Sequence, residues 1–536
     1  MTKSVAAIGP TSKDIHPCDV LLINPPWVSK THNIRSGMKH AMPPLSILSI
    51  AAYIRTSGYS VQILDIHVER LLGHETREAI RRANPKWVGI TVLTATSVPA
   101  HKIARIAKEA CPGCRVVFGG VHAEAVQEET LANSAVDFVV RGDGEEIFLE
   151  LIGSQEPESV RGVSYSNGTS IVQNPPNDIV MDLDKYPRPA YDLIPMHLYY
   201  PAIGAYKRIP GINMMMTRGC PGKCTFCNSA NTTLRTRSAS SVVEDIRYLH
   251  HTYGIREVEF FDDTFTIMVK NVKEFCWLMK EEKLDIVWTA YIRADCFNEE
   301  MGRNMKEAGC HQVLLGVESG NHKVLEFLRK PIALKRIKET VRIAQKCGLD
   351  VRASFILGNV GETPESMEDS FQYALELDAE LVNFHINTPY PGTQLFKWAK
   401  EKKSLVSDEW SEYELSTFLL KLPTVTSSQV FSFYERSHSR YFLRWSAIKC
   451  RLKRIRSGAL FFDAFKAFFY VMLRLKPYKA TAFPQCWSQN SKSDFFDLSI
   501  DLKNVGTNLT WEIRQGITEC ERDLTLLENY KLPITT

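Results

Sequence analysis

Short apolar runs alternate with segments of helical spacing along the first part of the chain. Residues 19–24 form one such run, and Pro25 and Pro26 follow it, which is typical of a buried strand that ends in a loop. The same pattern predicts strands at 60–65, 87–92, 115–118 and 136–140, with helices at 45–56, 67–83, 97–110 and 123–134. This alternation predicts an α/β fold over residues 1–150, a doubly wound, Rossmann-like parallel sheet that binds ligands beyond the carboxyl ends of its strands.

A second alternation begins after residues 151–205, a stretch rich in Pro, Asn and Asp that we interpret as a linker. Strands are predicted at 257–261, 286–290, 312–316, 352–357 and 381–386, after a segment at 214–217 that leads into three cysteines. Helices are predicted between them at 240–253, 269–282, 301–308, 333–347 and 364–377. These units predict a full or partial (β/α) barrel over 206–430, with its chemistry at the carboxyl ends of the strands.

The last part of the chain, residues 431–536, is predicted to be a basic, mostly helical region and tail. Residues 440–479 are rich in Lys and Arg, and Asp463 is the single acid among them. Basic and aromatic residues mixed over 452–475 suit an amphipathic helix on an anionic membrane surface, or a lid over an acidic substrate. A solvated basic face packed on the barrel is the alternative, and we expect no nucleic-acid partner because no such binding motif is present.

Composition narrows the class of protein. A chain of 536 residues is too long for one ordinary core, and 44% hydrophobic with 24% charged residues is typical of soluble globular proteins. No secretory signal pattern is present, and the apolar stretches fall short of the roughly 20 residues that a membrane span needs, so we expect a cytoplasmic protein. Its thirteen cysteines are scattered and odd in number, which argues against a disulfide framework.

Three of these cysteines are close together. Cys220, Cys224 and Cys227 have the spacing C-x3-C-x2-C. Soft thiolates select iron–sulfur clusters or zinc, but structural zinc usually takes four ligands and no matching pair of cysteines lies nearby. Three thiolates on a four-iron cluster leave one iron open for chemistry. A zinc loop, or three ordinary buried cysteines, is the alternative.

This motif, with Phe226 before its last cysteine, resembles the radical S-adenosylmethionine (SAM) superfamily over about 206–400. The resemblance implies that the open iron of a 4Fe–4S cluster chelates SAM, and that one electron then releases a 5′-deoxyadenosyl radical. It also implies that Phe226 and three later segments contact SAM. The contacts would be Asp262 and Asp263 near the methionine moiety, Glu318 and Ser319 beside the ribose, and Gly358 near the adenine. In the motif around Gly358, Val360 replaces a usual proline. Arg293 and Arg352 are candidates for the methionine carboxylate, or else scaffold charges.

Residues 18–150 resemble the cobalamin-binding domain that precedes the radical domain in one large subclass. The matching pieces are 23–26, 42–45, 119–122 and 136–145. The resemblance implies cofactor contacts from Asn24, Thr94, Gly119 and Gly120, where glycine permits close backbone approach. His122 either touches the cofactor or caps the following helix. A domain that has lost its cofactor is the alternative.

One departure concerns the ligand of cobalt. Many cobalamin domains carry a D-x-H-x-x-G loop, and Asp65-Ile66-His67 begins like it, but Arg70 stands where the glycine belongs. We therefore interpret His67 as an ordinary loop histidine. The radical subclass commonly binds cobalamin without a histidine on cobalt.

Together these features predict a cobalamin-dependent radical SAM methyltransferase that removes hydrogen from an unactivated carbon. Its partners would be a small-molecule substrate (a lipid, tetrapyrrole or natural-product precursor) and an electron donor such as flavodoxin or ferredoxin. Two alternatives remain: an oxidative cyclisation like that of the anaerobic magnesium-protoporphyrin ester cyclases, and an iron–sulfur or cobalamin-binding sensor. The sequence does not identify the substrate, because fold does not choose among these classes.

Overall fold

The computed structural model describes residues 9–27, 41–202 and 206–444. Its first sheet has seven strands in the order β2-β1-β3-β4-β5-β6-β7. The strands are β1 Val20–Asn24, β2 Val61–Asp65, β3 Trp87–Thr91, β4 Arg115–Gly119, β5 Phe138–Val140, β6 Val163–Ser166 and β7 Ile171–Gln173. Strands β1 to β5 pair in parallel, which confirms the predicted doubly wound sheet.

Strands β6 and β7 were not predicted. They pair antiparallel with β5 and with each other, and they lie inside the segment interpreted as a linker. They have only four and three residues, VSYS and IVQ, so neither contains an apolar run as long as those of the inner strands. Part of residues 151–205 therefore extends the first sheet.

Helices cover both faces of this sheet because successive strand residues point to opposite sides. Leu21 and Ile23 belong to one apolar cluster, and Val20 and Leu22 belong to the other. The helices of this part of the chain are α1 Leu45–Arg55, α2 Ile66–Glu69, α3 Gly73–Ala83, α4 Ser97–Ala110, α5 Val121–Ala125, α6 Gln127–Leu131 and α7 Gly144–Gly153.

The second sheet is parallel throughout and has six strands in the order β15-β14-β13-β12-β11-β8. They are β8 Gly211–Met214, β11 Glu257–Phe260, β12 Val287–Ile292, β13 Cys310–Glu318, β14 Asp350–Leu357 and β15 Leu381–Ile386. Strands β8 and β15 are the two edges, so the sheet is a partial barrel, as predicted. A separate two-stranded ribbon, β9 Thr217–Arg218 and β10 Arg235–Thr236, flanks the cysteine motif.

Helices connect the strands of the partial barrel and cover one of its edges. They are α8 Ala239–Tyr253, α9 Val269–Glu282, α10 Glu299–Glu307, α11 His322–Phe327, α12 Leu334–Lys346, α13 Pro364–Leu377, α14 Gln394–Glu401 and α15 Ser427–Phe442. Helix α15 covers β15, where the Tyr441 hydroxyl donates to the Ala379 carbonyl at 2.6 Å. The Ile386 amide also donates to the Leu415 carbonyl at 2.9 Å, so the chain after α14 adds to this edge.

Most of the predicted basic C-terminal region, from residue 445 onward, lies outside the described residues. The predictions for 452–475 and for the tail therefore stay predictions. Among the helices that the structure describes, none is long and apolar enough to cross a membrane.

Candidate functional site

The three cysteines lie in a loop that closes on itself. The Cys220 amide donates to Thr232 Oγ1 at 2.9 Å, and the Thr232 amide returns a bond to the Cys220 carbonyl at 3.0 Å. Gly219 opens the loop with φ +88°, and a Cβ there would lie 2.2 Å from the Thr233 carbonyl oxygen. Only glycine fits this turn without displacing the backbone. The sequence therefore folds residues 219–234 into one compact unit.

The three thiols are half-buried, and none forms a disulfide with another cysteine in the described part of the chain. Burial raises the pKa of the Cys224 and Cys227 thiols, while the cations of Lys330 and Arg293 oppose this rise at Cys224. Metal binding needs thiolates, so it would release protons here. Among the described residues no three such side chains converge on one ion position. In a 4Fe–4S cluster each cysteine binds a different iron, so the three thiols need not converge on one ion position. This set of donors therefore fits a 4Fe–4S group.

Asp262 and Asp263, predicted to contact SAM, hold the backbone that leads into the loop. Asp262 accepts hydrogen bonds from the Met216 amide at 3.1 Å and from the Thr217 amide. Asp263 accepts from the Gly219 amide at 2.9 Å. Burial raises the pKa of Asp262 to about 7. Their contact with SAM stays a prediction, and the geometry gives them a positioning role for the loop.

The other predicted SAM contacts are Phe226, Glu318, Ser319 and Gly358. Phe226 packs against the barrel core. Glu318 and Ser319 follow at the carboxyl end of β13, where Glu318 pairs with Lys330 at 2.8 Å and Ser319 with Ser370 at 3.1 Å. Gly358 has φ +79° just beyond β14, and its amide donates to Glu362 at 2.6 Å. The structure thus places the last three at the strand ends, and their contact with SAM stays a prediction.

The two candidate arginines differ in position. Arg352 pairs with Glu259 at 3.1 Å, across the sheet from β14 to β11. Arg293 pairs with Asp295 through two bonds of 3.1 and 2.7 Å. Its Nη1 also lies 3.1 Å from the position of a Cβ on Gly222, inside the cysteine loop. Arg293 is therefore the candidate that the structure brings to the cysteines.

A cavity of about 840 Å³ separates the first sheet from the cysteine loop. This volume is typical of small-molecule and cofactor sites. Gly119 and Gly120 line one side, and Gly219, Asn228 and Ser229 line the other. A Cβ on Gly119 would meet nothing within 4 Å, so the backbone is open to a ligand there. The cavity fits the predicted cobalamin site at the carboxyl ends of the strands.

Asn24, Thr94 and His122 do not line this cavity. Asn24 donates to Asp65 at 3.0 Å, and His122 Nδ1 lies 3.2 Å from Thr94 Oγ1. Burial lowers the pKa of His122 to about 3, so its imidazole is neutral at neutral pH. These three side chains are outside the cavity lining, and their contact with a cofactor stays a prediction.

Sequence reasoning missed four charged residues of the wall. Arg218, two positions before Cys220, donates to Glu145 at 2.6 Å, and its Nη1 lies 3.6 Å from Asp143. Arg235 pairs with the same Asp143. Residues 142–145 had been noted only as part of the resemblance to cobalamin domains. Two acids at 142–145 and two arginines on either side of the cysteines are the sequence features that could have predicted these ion pairs.

Comparisons with known proteins agree with this architecture. Residues 34–152 match the B12 binding domain family, and residues 214–374 match the Radical SAM superfamily. The uncharacterized methyltransferase PH0819 of Pyrococcus horikoshii is 35% identical over 433 residues, covering 79% of this chain and 92% of that protein. The anaerobic magnesium-protoporphyrin IX monomethyl ester cyclase of Cereibacter sphaeroides is 25% identical over 429 residues, 77% of this chain and 69% of that protein.

A solved structure shares the fold. The radical SAM methyltransferase TsrM of Kitasatospora setae, solved with tryptophan and a SAM analogue, superposes with a TM-score of 0.62 at 19% identity. The match covers 72% of this chain and 76% of that one. At this identity the likeness shows a common fold for the two sheets.

Proposed function

The chain belongs to the radical SAM superfamily, in the group whose radical domain follows a B12-binding domain, and on this basis we propose that it is a cobalamin-dependent radical SAM C-methyltransferase. Its cofactors are a 4Fe–4S cluster, SAM and cobalamin. When bound, the cluster supplies the electron that cleaves SAM to the radical that removes hydrogen from an unactivated carbon, and cobalamin supplies the methyl group. The substrate is a small molecule: a lipid, tetrapyrrole or natural-product precursor.

One observation carries this proposal. Gly119 and Gly120 of the first sheet and Gly219 of the cysteine loop line the same cavity. A group bound on either side therefore reaches one shared volume. Methyl transfer needs this arrangement, because the donor and the substrate carbon must meet while water is excluded.

The roles of the protein side chains follow from their positions. Cys220, Cys224 and Cys227 would hold the cluster, and Asp262 and Asp263 would fix the backbone that enters their loop. Arg293, whose Nη1 lies 3.1 Å from the position of a Cβ on Gly222, would bind the carboxylate of SAM. Gly119 and Gly120 would let cobalamin approach the backbone of the first sheet.

The test is anaerobic reconstitution with iron, sulfide and hydroxocobalamin, followed by SAM and a strong reductant. Wild-type protein should form 5′-deoxyadenosine. Cys220→Ala, Cys224→Ala and Cys227→Ala should each lose this product by roughly 100-fold or more, because each removes a cluster ligand. Cys347→Ala is the matched control, since Cys347 is also half-buried but lies outside the motif. An intact cluster that yields no 5′-deoxyadenosine would favour the sensor alternative.

The mass of the product separates methylation from cyclisation. The cyclase relative at 25% identity keeps the oxidative ring-forming reaction as the second candidate. With deuterated methyl-SAM and extracts containing lipids, tetrapyrroles or natural-product precursors, a methyltransferase gives a product heavier by one labelled methyl in place of hydrogen. It also releases S-adenosylhomocysteine. A cyclase gives a product that carries no label.

Two further partners belong to the proposal. SAM cleavage consumes one electron, so a small donor of the flavodoxin or ferredoxin type would supply it in a cytoplasmic setting. Contact with a membrane surface rests on residues 452–475, which lie outside the described residues. Sedimentation of the full chain with anionic vesicles, against a variant that ends at residue 444, tests this contact.

A further inference from the structure

Two arginines face each other at the base of the cysteine loop. Strands β9 and β10 pair antiparallel, and their register sets Arg218 directly opposite Arg235. Like charges at directly opposite positions of an antiparallel pair repel one another. These two residues flank residues 219–234, which contain all three cysteines. The ribbon that closes the loop therefore needs negative charge between its arginines.

That charge comes from the first-sheet side of the cavity. Glu145 accepts from Arg218 at 2.6 Å, and its side chain is only 3% exposed. Asp143 pairs with Arg235 and lies 3.6 Å from Arg218. Ser49 Oγ also donates to Glu145 at 2.6 Å, which fixes the carboxylate from helix α1. The contacts thus join helices α1 and α7 to both ends of the cysteine loop.

The position of Asp143 indicates that its carboxylate serves these arginines. It occupies the N-cap of α7, where an aspartate usually accepts from the first turn of its own helix. Its side chain makes no such bond. The Asp143 carboxylate therefore pairs with Arg235 of the cysteine-loop ribbon instead of capping its own helix.

We propose that Asp143, Glu145, Arg218 and Arg235 form a charge clasp that positions the cysteine loop against the cobalamin-type sheet. These are positioning residues, because none of them is a predicted cluster ligand. This positioning role rests on the proposed function, because the clasp aligns the two sides of the cavity. Its contacts belong to the protein alone and are testable without cofactors.

The experiment measures how fast iodoacetamide alkylates Cys220, Cys224 and Cys227 in the cofactor-free, reduced full chain, with peptides quantified by mass spectrometry. Asp143→Asn and Glu145→Gln should each raise the rate about tenfold, because the loop opens locally. The double variant Glu145→Gln with Arg218→Gln should gain less than the sum of its two single variants, since both substitutions break the Glu145–Arg218 contact and Arg218→Gln also removes the contact with Asp143. Iron bound after reconstitution should fall in the same variants.

Asp137→Asn is the matched control. Asp137 and Asp143 are similarly exposed, at 31% and 30%, and each pairs with a basic side chain, Lys108 in the case of Asp137. Asp137, however, contacts no residue of the cysteine loop. It should leave the rate at the three cysteines unchanged. The buried Cys276 reports global unfolding, and its rate should stay constant in the clasp variants.

The proposal would be overturned if Asp143→Asn and Glu145→Gln left the alkylation rates of the three cysteines at their wild-type values. Additive effects in the double variant would also overturn it. A parallel rise at Cys276 would also overturn it, because the clasp would then only stabilise the whole chain. Failure of the proposed function is distinguishable. It would appear as an absence of 5′-deoxyadenosine from wild-type protein, whatever the alkylation rates.

Discussion

Trp410 packs edge to face against His122, with ring centroids 4.9 Å apart. Trp410 lies in a short turn, Trp410–Glu412, beyond the partial barrel, whereas His122 follows the double glycine of the first sheet. The indole also donates to Glu129. The chain after α14 therefore returns to the first sheet and packs against it at His122 and Glu129.

Replacing Trp410 by Ala should destabilise the apo protein. The substitution removes the ring from His122 and the indole donor from Glu129; truncating a fully buried aromatic ring costs about 3–5 kcal/mol, and this half-buried ring should cost less. The thermal midpoint should therefore fall by several degrees in circular dichroism. Trp277→Ala is the control, since Trp277 is 57% exposed. Equal losses in the two variants would contradict the contact.

The buried histidines should make stability depend on pH. Burial lowers the pKa of His101 to about 4 and of His122 to about 3, against an ordinary value of 6.5. Between about 4 and 6.5 the unfolded chain binds protons that the native imidazoles do not, so the contribution of these two histidines to stability rises with pH over this window and gains nothing further above it.

The measurement is the thermal midpoint of wild type and His101→Gln across this pH range. The wild-type midpoint minus the variant midpoint should increase as the pH rises through this window, because the variant lacks the contribution of His101. His74→Gln, at an exposed helical position, should keep the wild-type slope. A His101→Gln slope equal to that of wild type would contradict the assignment.

Local patterns predicted much of this architecture, and distant contacts account for what they missed. The apolar run at 19–24 and the spacing of Cys220, Cys224 and Cys227 are each encoded within a few residues. The pairing of Asp143 with Arg235 depends instead on how two sheets meet. Strands β6 and β7 escaped prediction because they are short and neither contains an apolar run longer than two residues. Asn24 does end a strand, as expected, but its side chain turns to Asp65 and away from the cavity.

Gly219→Ala should prevent the cysteine loop from forming while the chain stays folded. The added Cβ would lie 2.2 Å from the Thr233 carbonyl oxygen, at a positive φ of +88°. Gly168→Ala is a close control, because Gly168 has φ +90° but open space around it. Both variants share the backbone penalty of about 1–2 kcal/mol, and only Gly219→Ala adds the clash. Iron per reconstituted chain should therefore fall in Gly219→Ala alone, and equal iron in both would refute the role of the turn.

Glu362 is a buried acid whose proton should set a second pH dependence. One carboxylate oxygen accepts from the amides of Gly358 at 2.6 Å and Asn359 at 2.8 Å, and the other oxygen is buried and has no hydrogen-bond partner among the residues that the structure describes. Burial raises the pKa of Glu362 from 4.5 to about 7. Its stabilising contribution is complete below about 4.5, because the proton stays on the native carboxyl, and it is lost as pH rises through about 7.

Glu362→Gln should remove this loss, because the amide keeps an acceptor for the two backbone donors and carries no charge. Above pH 7 the variant should be more stable than wild type by a few kcal/mol or less, since each unit of pKa shift corresponds to about 1.4 kcal/mol. Thermal midpoints between pH 5 and 8 give the measurement, with Glu365→Gln, an exposed acid of the same turn, as the control. A difference between the Glu362→Gln and wild-type midpoints that stays constant from pH 5 to 8 would mean that the Glu362 carboxyl is ionised throughout this range. The hydrogen bonds at Gly358 would then be stronger than the cost of burying the charge.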